Sequence, residues 1–276
     1  MLGTIHSLDE YSEACIRDSI KLSIAAFESA IETNQVIHEA RSCAWHYIKY
    51  YYAAYFAANA LMRLRGMSCI NLTAIDCASI NSWALANGVG GTTDANRLVA
   101  GLYIMQLDGA VTPTFALRLG GGKGGVHIQF WISFSAFLAS LRDDLASSPA
   151  PKVERDAAAL DLTLLESELQ RGGFSQGSWL SEMRNAVNYR FEYGTWFPYV
   201  EPSLDVADLK TSFRVHASNA TRFAIAKPGV PELLRAARVC GYLVGWLRNS
   251  LEIVSTTAKG EKGMLLKGAL NFANKI

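Results

Sequence analysis

Apolar residues recur at helical spacing along most of the chain, and the recurrence predicts a mainly α-helical protein. Between about Leu8 and Thr33 the stripe is Ile16, Ile20, Ile24, Phe27 and Ile31. Between about Glu39 and Arg65 it is Ala44, Ile48, Tyr51, Tyr55, Ala58 and Met62, thickened by Tyr47, Tyr50, Ala54 and Leu61. That second helix is expected to touch neighbours on most sides and to stop at Gly66. HIQFWISFSAFLASLRDDL predicts another central helix over 126–146, and Leu160, Leu164, Leu165 and Leu169 mark one over 153–171. A last long helix opens at Pro231, a favoured first-turn position, and carries Leu234, Ala237, Cys240, Val244, Leu247, Leu251 and Val254.

Two regions break this rhythm. Residues 67–125 mix short apolar pieces with glycine and read as an inserted segment. Their one convincing strand is TPTFALRLG, where Phe115, Leu117 and Leu119 alternate with polar or small residues. Residues 211–226 carry a second alternation, in which Phe213 and Val215 would face Phe223 and Ile225 across a β-hairpin. The fold expected is a single helical domain over 1–276 with a small β accessory.

Composition narrows the functions open to such a fold. Of 276 residues, 50% are hydrophobic and 18% charged, enough to bury a large core. Lys plus Arg number 26 against 25 for Asp plus Glu, so no overall field draws in an anionic partner and any phosphate binding must be local. The five cysteines are scattered without a close pair, against both a disulfide framework and a zinc site. No metal or cofactor is expected. The opening MLGTIHSLDEYSEAC is acidic where a signal peptide is basic, and no window is apolar enough to span a bilayer, which points to a cytoplasmic protein with no membrane partner.

The residues that carry chemistry lie in a short helix from about 178 to 189, SWLSEMRNAVNY, with Ser178 as N-cap and Glu182 in the first turn. Leu180, Met183 and Val187 define its buried face. Arg184 with Asn188, and Asn185 with Tyr189, are i, i+4 pairs beside that face. A guanidinium, two carboxamides and a phenol on one side of a helix suit the grip of a phosphate and a base. Arg190 follows directly. The run LGGGKGG places Lys123 before a helix N-terminus, a second place for an anion, although the spacing of a nucleotide phosphate loop is absent and a mobile loop is the other reading.

YYAAYFAANALMRL followed downstream by a short helix bearing RNAVNY resembles the HEPN superfamily, over the helices at 40–65, 126–146, 177–190 and 231–254. The resemblance implies metal-independent RNA cleavage in antiviral defence or a toxin–antitoxin system, an active site built across a homodimer, and a partner protein. By position it makes Arg184 the stabiliser of phosphate charge and Asn185 the residue that orients the site, with Tyr189 in support. Asn188, Arg190 and Lys123 would then contact substrate. The family's histidine, separated from the arginine by four to six intervening residues, is missing. Tyr189 and Phe191 hold those places, and a phenol is a weak general base at neutral pH. His46 or His127, each on a helix predicted to be buried, is the residue able to replace it.

Other readings stand beside these. Arg184 is also readable as a surface cation paired with Glu182, Tyr189 as a packed aromatic, and the tyrosines from 47 to 55 as core or dimer interface rather than a stacking surface. The rival to a ribonuclease is a catalytically inactive helical module that binds RNA, a nucleotide or a protein partner.

Overall fold

The computed structural model describes residues 2–4, 8–35, 42–88, 97–108, 114–119, 124–196, 204–218, 222–224, 227–257 and 261–276. Among them the chain is mainly α-helical with a small antiparallel sheet, the class its periodicity predicts. The helices are α1 (Leu8–Gln35), α2 (Ala44–Leu64), α3 (Ala74–Ala86), α4 (Val126–Ala146), α5 (Lys152–Leu169), α6 (Trp179–Tyr189), α7 (Val206–Ser218), α8 (Glu232–Thr257) and α9 (Glu261–Ala273). No helix among the described residues is long and apolar enough to cross a membrane.

The centre of the molecule is α2, as its all-round apolar surface predicts. Tyr47, Tyr50, Tyr51, Ala54, Ala58 and Met62 are wholly buried on it. It packs on α1 along one side and on α8 along another, and also touches α4, α6 and α7. Large aromatic side chains fill the gap: Phe130, Trp131 and Phe134 of α4 are fully buried, and Tyr50 stacks on Phe213 of α7 with ring centroids 3.9 Å apart. Burial of so much apolar surface, about 25 cal/mol per Å², is the main force holding the bundle together. One continuous core runs from α1 to α9.

The β accessory is larger than the sequence suggests. Strand β1 (Leu2–Thr4) joins β2 (Met67–Leu72), β3 (Gly101–Asp108) and β4 (Thr114–Leu119) in an antiparallel sheet of order β1-β4-β3-β2. The strand expected at Thr114–Leu119 is present. The N-terminal strand lies beside it, so the sheet draws on Leu2–Thr4 as well as on the inserted segment. Helix α3 had no periodic signal because it buries little: Cys77 and Ala84 are covered while Ile75, Trp83 and Leu85 lie exposed. Its start is nevertheless written in the chain, since Thr73 and Asp76 form a reciprocal capping box.

The hairpin expected at 211–226 is not formed. Its first half is the C-terminal part of α7, where Leu209, Phe213 and Ala217 repeat every four residues and are buried. Val215, read as the inward partner of Phe213, is 58% exposed on the opposite side. The period-two pattern was two accidental apolar positions on a helix. On α8, a Cβ added at Gly241 would stand 2.2 Å from the carbonyl oxygen of Phe213, so the absence of a side chain sets how closely α7 and α8 approach. The C-terminal stretch, Gly-broken in sequence, forms α9 against α1 and α8.

Candidate functional site

Helix α6 lies where the periodicity places it, with Leu180, Met183 and Val187 buried against α2, α4 and α8. Ser178 occupies the N-cap position without making a side-chain capping bond. A tight turn seats the helix: Gly177 has φ of 91°, and a Cβ there would lie 2.6 Å from Cβ of Ser135 on α4. This close approach fixes α6 against α4.

Arg184 projects from α6 to the surface between α2 and its own helix end. Its Nη2 donates to the Tyr52 hydroxyl at 3.1 Å, and Nη1 donates to Oδ1 of Asn185 at 3.0 Å. The guanidinium carbon is 5.0 Å from the Tyr189 ring centroid and 6.0 Å from that of Tyr52, within the range of cation–π attraction. Its Nε is buried and finds no acceptor among the described residues. No carboxylate among them pairs with it. Burial works against its charge, but the phenol oxygens of Tyr52 and Tyr189 outweigh that effect and hold the group firmly cationic.

Glu182, the expected counter-ion, is taken by Arg190. That side chain bonds both Glu182 and Glu192 and is thereby neutralised at the exposed end of the helix. Arg190, expected to contact substrate, is in the structure a clasp that ties the segment after α6 back onto it. Asn188 is half-buried one turn beyond Arg184. The residues brought together are Arg184, Asn185 and Tyr189. Lys123 lies outside the described residues, directly before Gly124.

A histidine does stand beside this group. His127 is in the first turn of α4, and its ring packs 4.8 Å from Tyr55, 5.6 Å from Tyr51 and 5.8 Å from Tyr52, the phenol that binds Arg184. Nδ1 is 2.9 Å from the Tyr51 hydroxyl, which also accepts the indole N–H of Trp131 at 3.0 Å. Burial, then the positive charge of Arg184, pushes the His127 pKa below its ordinary value, and the helix N-terminus acts in the same direction. The ring is therefore neutral at pH 7. If Nδ1 donates to Tyr51, Nε2 bears the free lone pair; if Nδ1 accepts, Nε2 carries the proton.

His46 serves another end of α2, where its Nδ1 donates to the carbonyl of Ser42 at 3.1 Å. It is a hydrogen-bonded core residue. Of the tyrosine row, Tyr47, Tyr50 and Tyr51 are core, whereas Tyr52 and Tyr55 are only half-buried and face His127. Tyr52 is the residue that sequence reasoning missed. Its signal was its position between the buried turns of α2, beside rather than within the apolar stripe.

No cluster of metal-ligating side chains occurs among the described residues. Comparisons with known protein families, with curated proteins and with solved structures find no match for this chain.

Proposed function

We propose that the chain is an RNA-directed protein of HEPN-like type that cleaves RNA without a metal, using Arg184 and His127. The observation that carries this reading is a half-buried guanidinium with no carboxylate partner among the described residues, held by two phenols beside a neutral imidazole. A cation left in that condition is primed for an anion. The neutral histidine meets the need that the phenol of Tyr189 fails to meet.

In the proposed step, the tautomer that donates from Nδ1 to Tyr51 leaves Nε2 as general base. It takes the proton of a ribose 2′-hydroxyl, whose oxygen attacks the adjacent phosphorus. The bond from phosphorus to the 5′ oxygen breaks, that oxygen takes up a proton from water while His127 returns its own to solvent, and the products are a 2′,3′-cyclic phosphate and a 5′-hydroxyl. Arg184 balances the charge that builds on the non-bridging oxygens, Asn185 holds the guanidinium, and Tyr52 positions it. A homodimer and a cognate partner protein in the cytoplasm complete the proposal.

The second reading, an inactive module that binds RNA, a nucleotide or a protein, draws on Tyr189 standing where the family's histidine belongs. Incubation of the full chain with mixed single-stranded RNA in chelator separates the two. Cleavage that falls about 100-fold in Arg184→Ala and in His127→Ala supports the enzyme. Equal cleavage by all three proteins removes it, and binding without cleavage by the wild type transfers the case to the silent module.

A further inference from the structure

We propose that a row of exposed and half-buried aromatic rings, running from the Arg184 site to the start of α2, is a stacking platform for the unpaired bases of a single RNA strand. The proposal rests on the reading of Arg184 as a phosphate-binding group and adds where the neighbouring nucleotides go.

The row has two groups of rings, linked by the chain from Tyr189 to Phe191. Tyr52 and Tyr189 flank the Arg184 guanidinium at 6.0 and 5.0 Å. Two residues beyond Tyr189, the Phe191 ring meets Trp196 edge-on at 6.2 Å, and Trp196 meets Trp45 in the same manner at 5.4 Å. Trp45 and Tyr52 stand seven residues apart on α2, about 10 Å along the helix axis. That length corresponds to roughly three stacked bases at about 3.4 Å each. Tyr189 is 62% exposed, Trp45 59% and Phe191 55%, values that set them apart from the wholly buried Tyr47, Tyr50 and Tyr51 on the same bundle.

The platform is built rather than incidental. Trp196 is pinned by its indole N–H, which donates to the Val187 carbonyl at 2.6 Å, and Ser42 donates to the Thr195 carbonyl, joining the segment after α6 to the start of α2. Phe191 and Tyr193 both have positive φ, 55° and 64°, a conformation bulky residues rarely adopt and one that must be held by the surroundings. The clasp of Arg190 on Glu182 and Glu192 adds to that hold and leaves one net negative charge there.

The chemistry selects the occupant. Aromatic faces beside one phosphate-binding cation suit unpaired bases, because every base offers a π-face and a duplex keeps its own bases stacked on one another. At its Phe191 end the row carries Glu182 and Glu192 against one Arg190, so grip along it comes from stacking rather than from phosphates. Affinity for a strand should therefore depend only weakly on salt, as expected for about one phosphate contact.

The test uses the full chain and a 2′-O-methyl oligoadenylate decamer, which lacks the nucleophile for cleavage, alone and paired with its complement. Expected are quenching of tryptophan fluorescence by the single strand and binding about tenfold tighter than to the duplex. Trp45→Ala should weaken single-strand binding about tenfold, with Trp45→Phe restoring most of it. Phe191→Asn, which tolerates the left-handed conformation, gives a second variant should Trp45→Ala fail to fold. Wild-type affinity in folded Trp45→Ala and Phe191→Asn, or equal affinity for strand and duplex, overturns the platform while leaving the cleavage assays on Arg184 to stand. Loss of a dimer in Trp45→Ala without change in strand affinity also overturns it and assigns the row to contact between copies. Absence of both binding and cleavage in the wild type defeats the functional reading itself.

Discussion

Arg184 and Arg235 carry the same guanidinium into the same bundle, and their surroundings give them opposite roles. Arg235 on α8 is 5% exposed, with Nη1 3.3 Å from Glu168 Oε1, Nη2 donating to the Lys227 carbonyl at 2.7 Å and Nε donating to the Val230 carbonyl at 3.2 Å. Each of its nitrogens has an acceptor, and the set ties α5, the turn before α8 and α8 itself. Arg184, half-buried, has a phenol, a carboxamide and a buried Nε without an acceptor, with no carboxylate among the described residues. A guanidinium whose charge is answered inside the fold is a structural part. One answered only by neutral dipoles keeps its affinity for an anion from outside.

The strongest break in this comparison is Arg235→Ala. It leaves Glu168, 3% exposed, as a buried carboxylate without its cation, and the expected loss is about 3–5 kcal/mol in urea unfolding. Arg235→Met with Glu168→Leu should recover much of that loss, since the uncompensated charge is gone.

Gly177→Ala should cost about 1–3 kcal/mol, because the added Cβ runs into Ser135 and the backbone must shift. It should also lower the proposed cleavage of RNA by moving α6, and with it Arg184, relative to His127 on α4. A variant as stable and as active as the wild type would show that this seat has no part in the site.

Arg184→Ala breaks no ion pair and should change stability by under about 1 kcal/mol, so a loss near that of Arg235→Ala would erase the distinction between the two arginines. Its smaller, sharper signature is electrostatic. Burial and then Arg184 lower the His127 pKa, so the unfolded chain holds this proton more readily than the folded one. The stability linked to His127 is accordingly intact above about pH 6.5 and declines as pH falls below it. Removing Arg184 should raise the His127 pKa in a residue-resolved NMR titration. Burial also lowers the pKa values of His46 and His216, so a bulk pH curve does not isolate the effect.

The sequence was legible where one stripe faces one core. The helices α1, α2, α4, α5, α6 and α8 follow from spacing alone, although Leu160, read as part of the α5 stripe, is exposed and the core face is Leu162, Leu165 and Leu169. It was misleading where burial is slight or accidental, as in α3, whose apolar side chains face outward, and in α7, where Phe213 and Val215 mimic a strand. For the site, the cluster of Arg184, Asn185 and Tyr189 was readable because its members share one short helix. The roles of Tyr52 and Arg190 were not, because they depend on which side chain Glu182 meets and on how α2 turns toward α6. Proximity of His127 to Arg184, across 57 residues of chain, was a question only packing answers.

The availability of the Arg184 charge is tested most directly by a salt series. Affinity for a labelled single-stranded RNA is measured for the wild type and for Arg184→Ala, and log K is plotted against log salt. One phosphate held by Arg184 predicts that the variant's slope is shallower by about 0.7 and its affinity lower at every salt concentration. Superimposable lines for the two proteins would contradict the account.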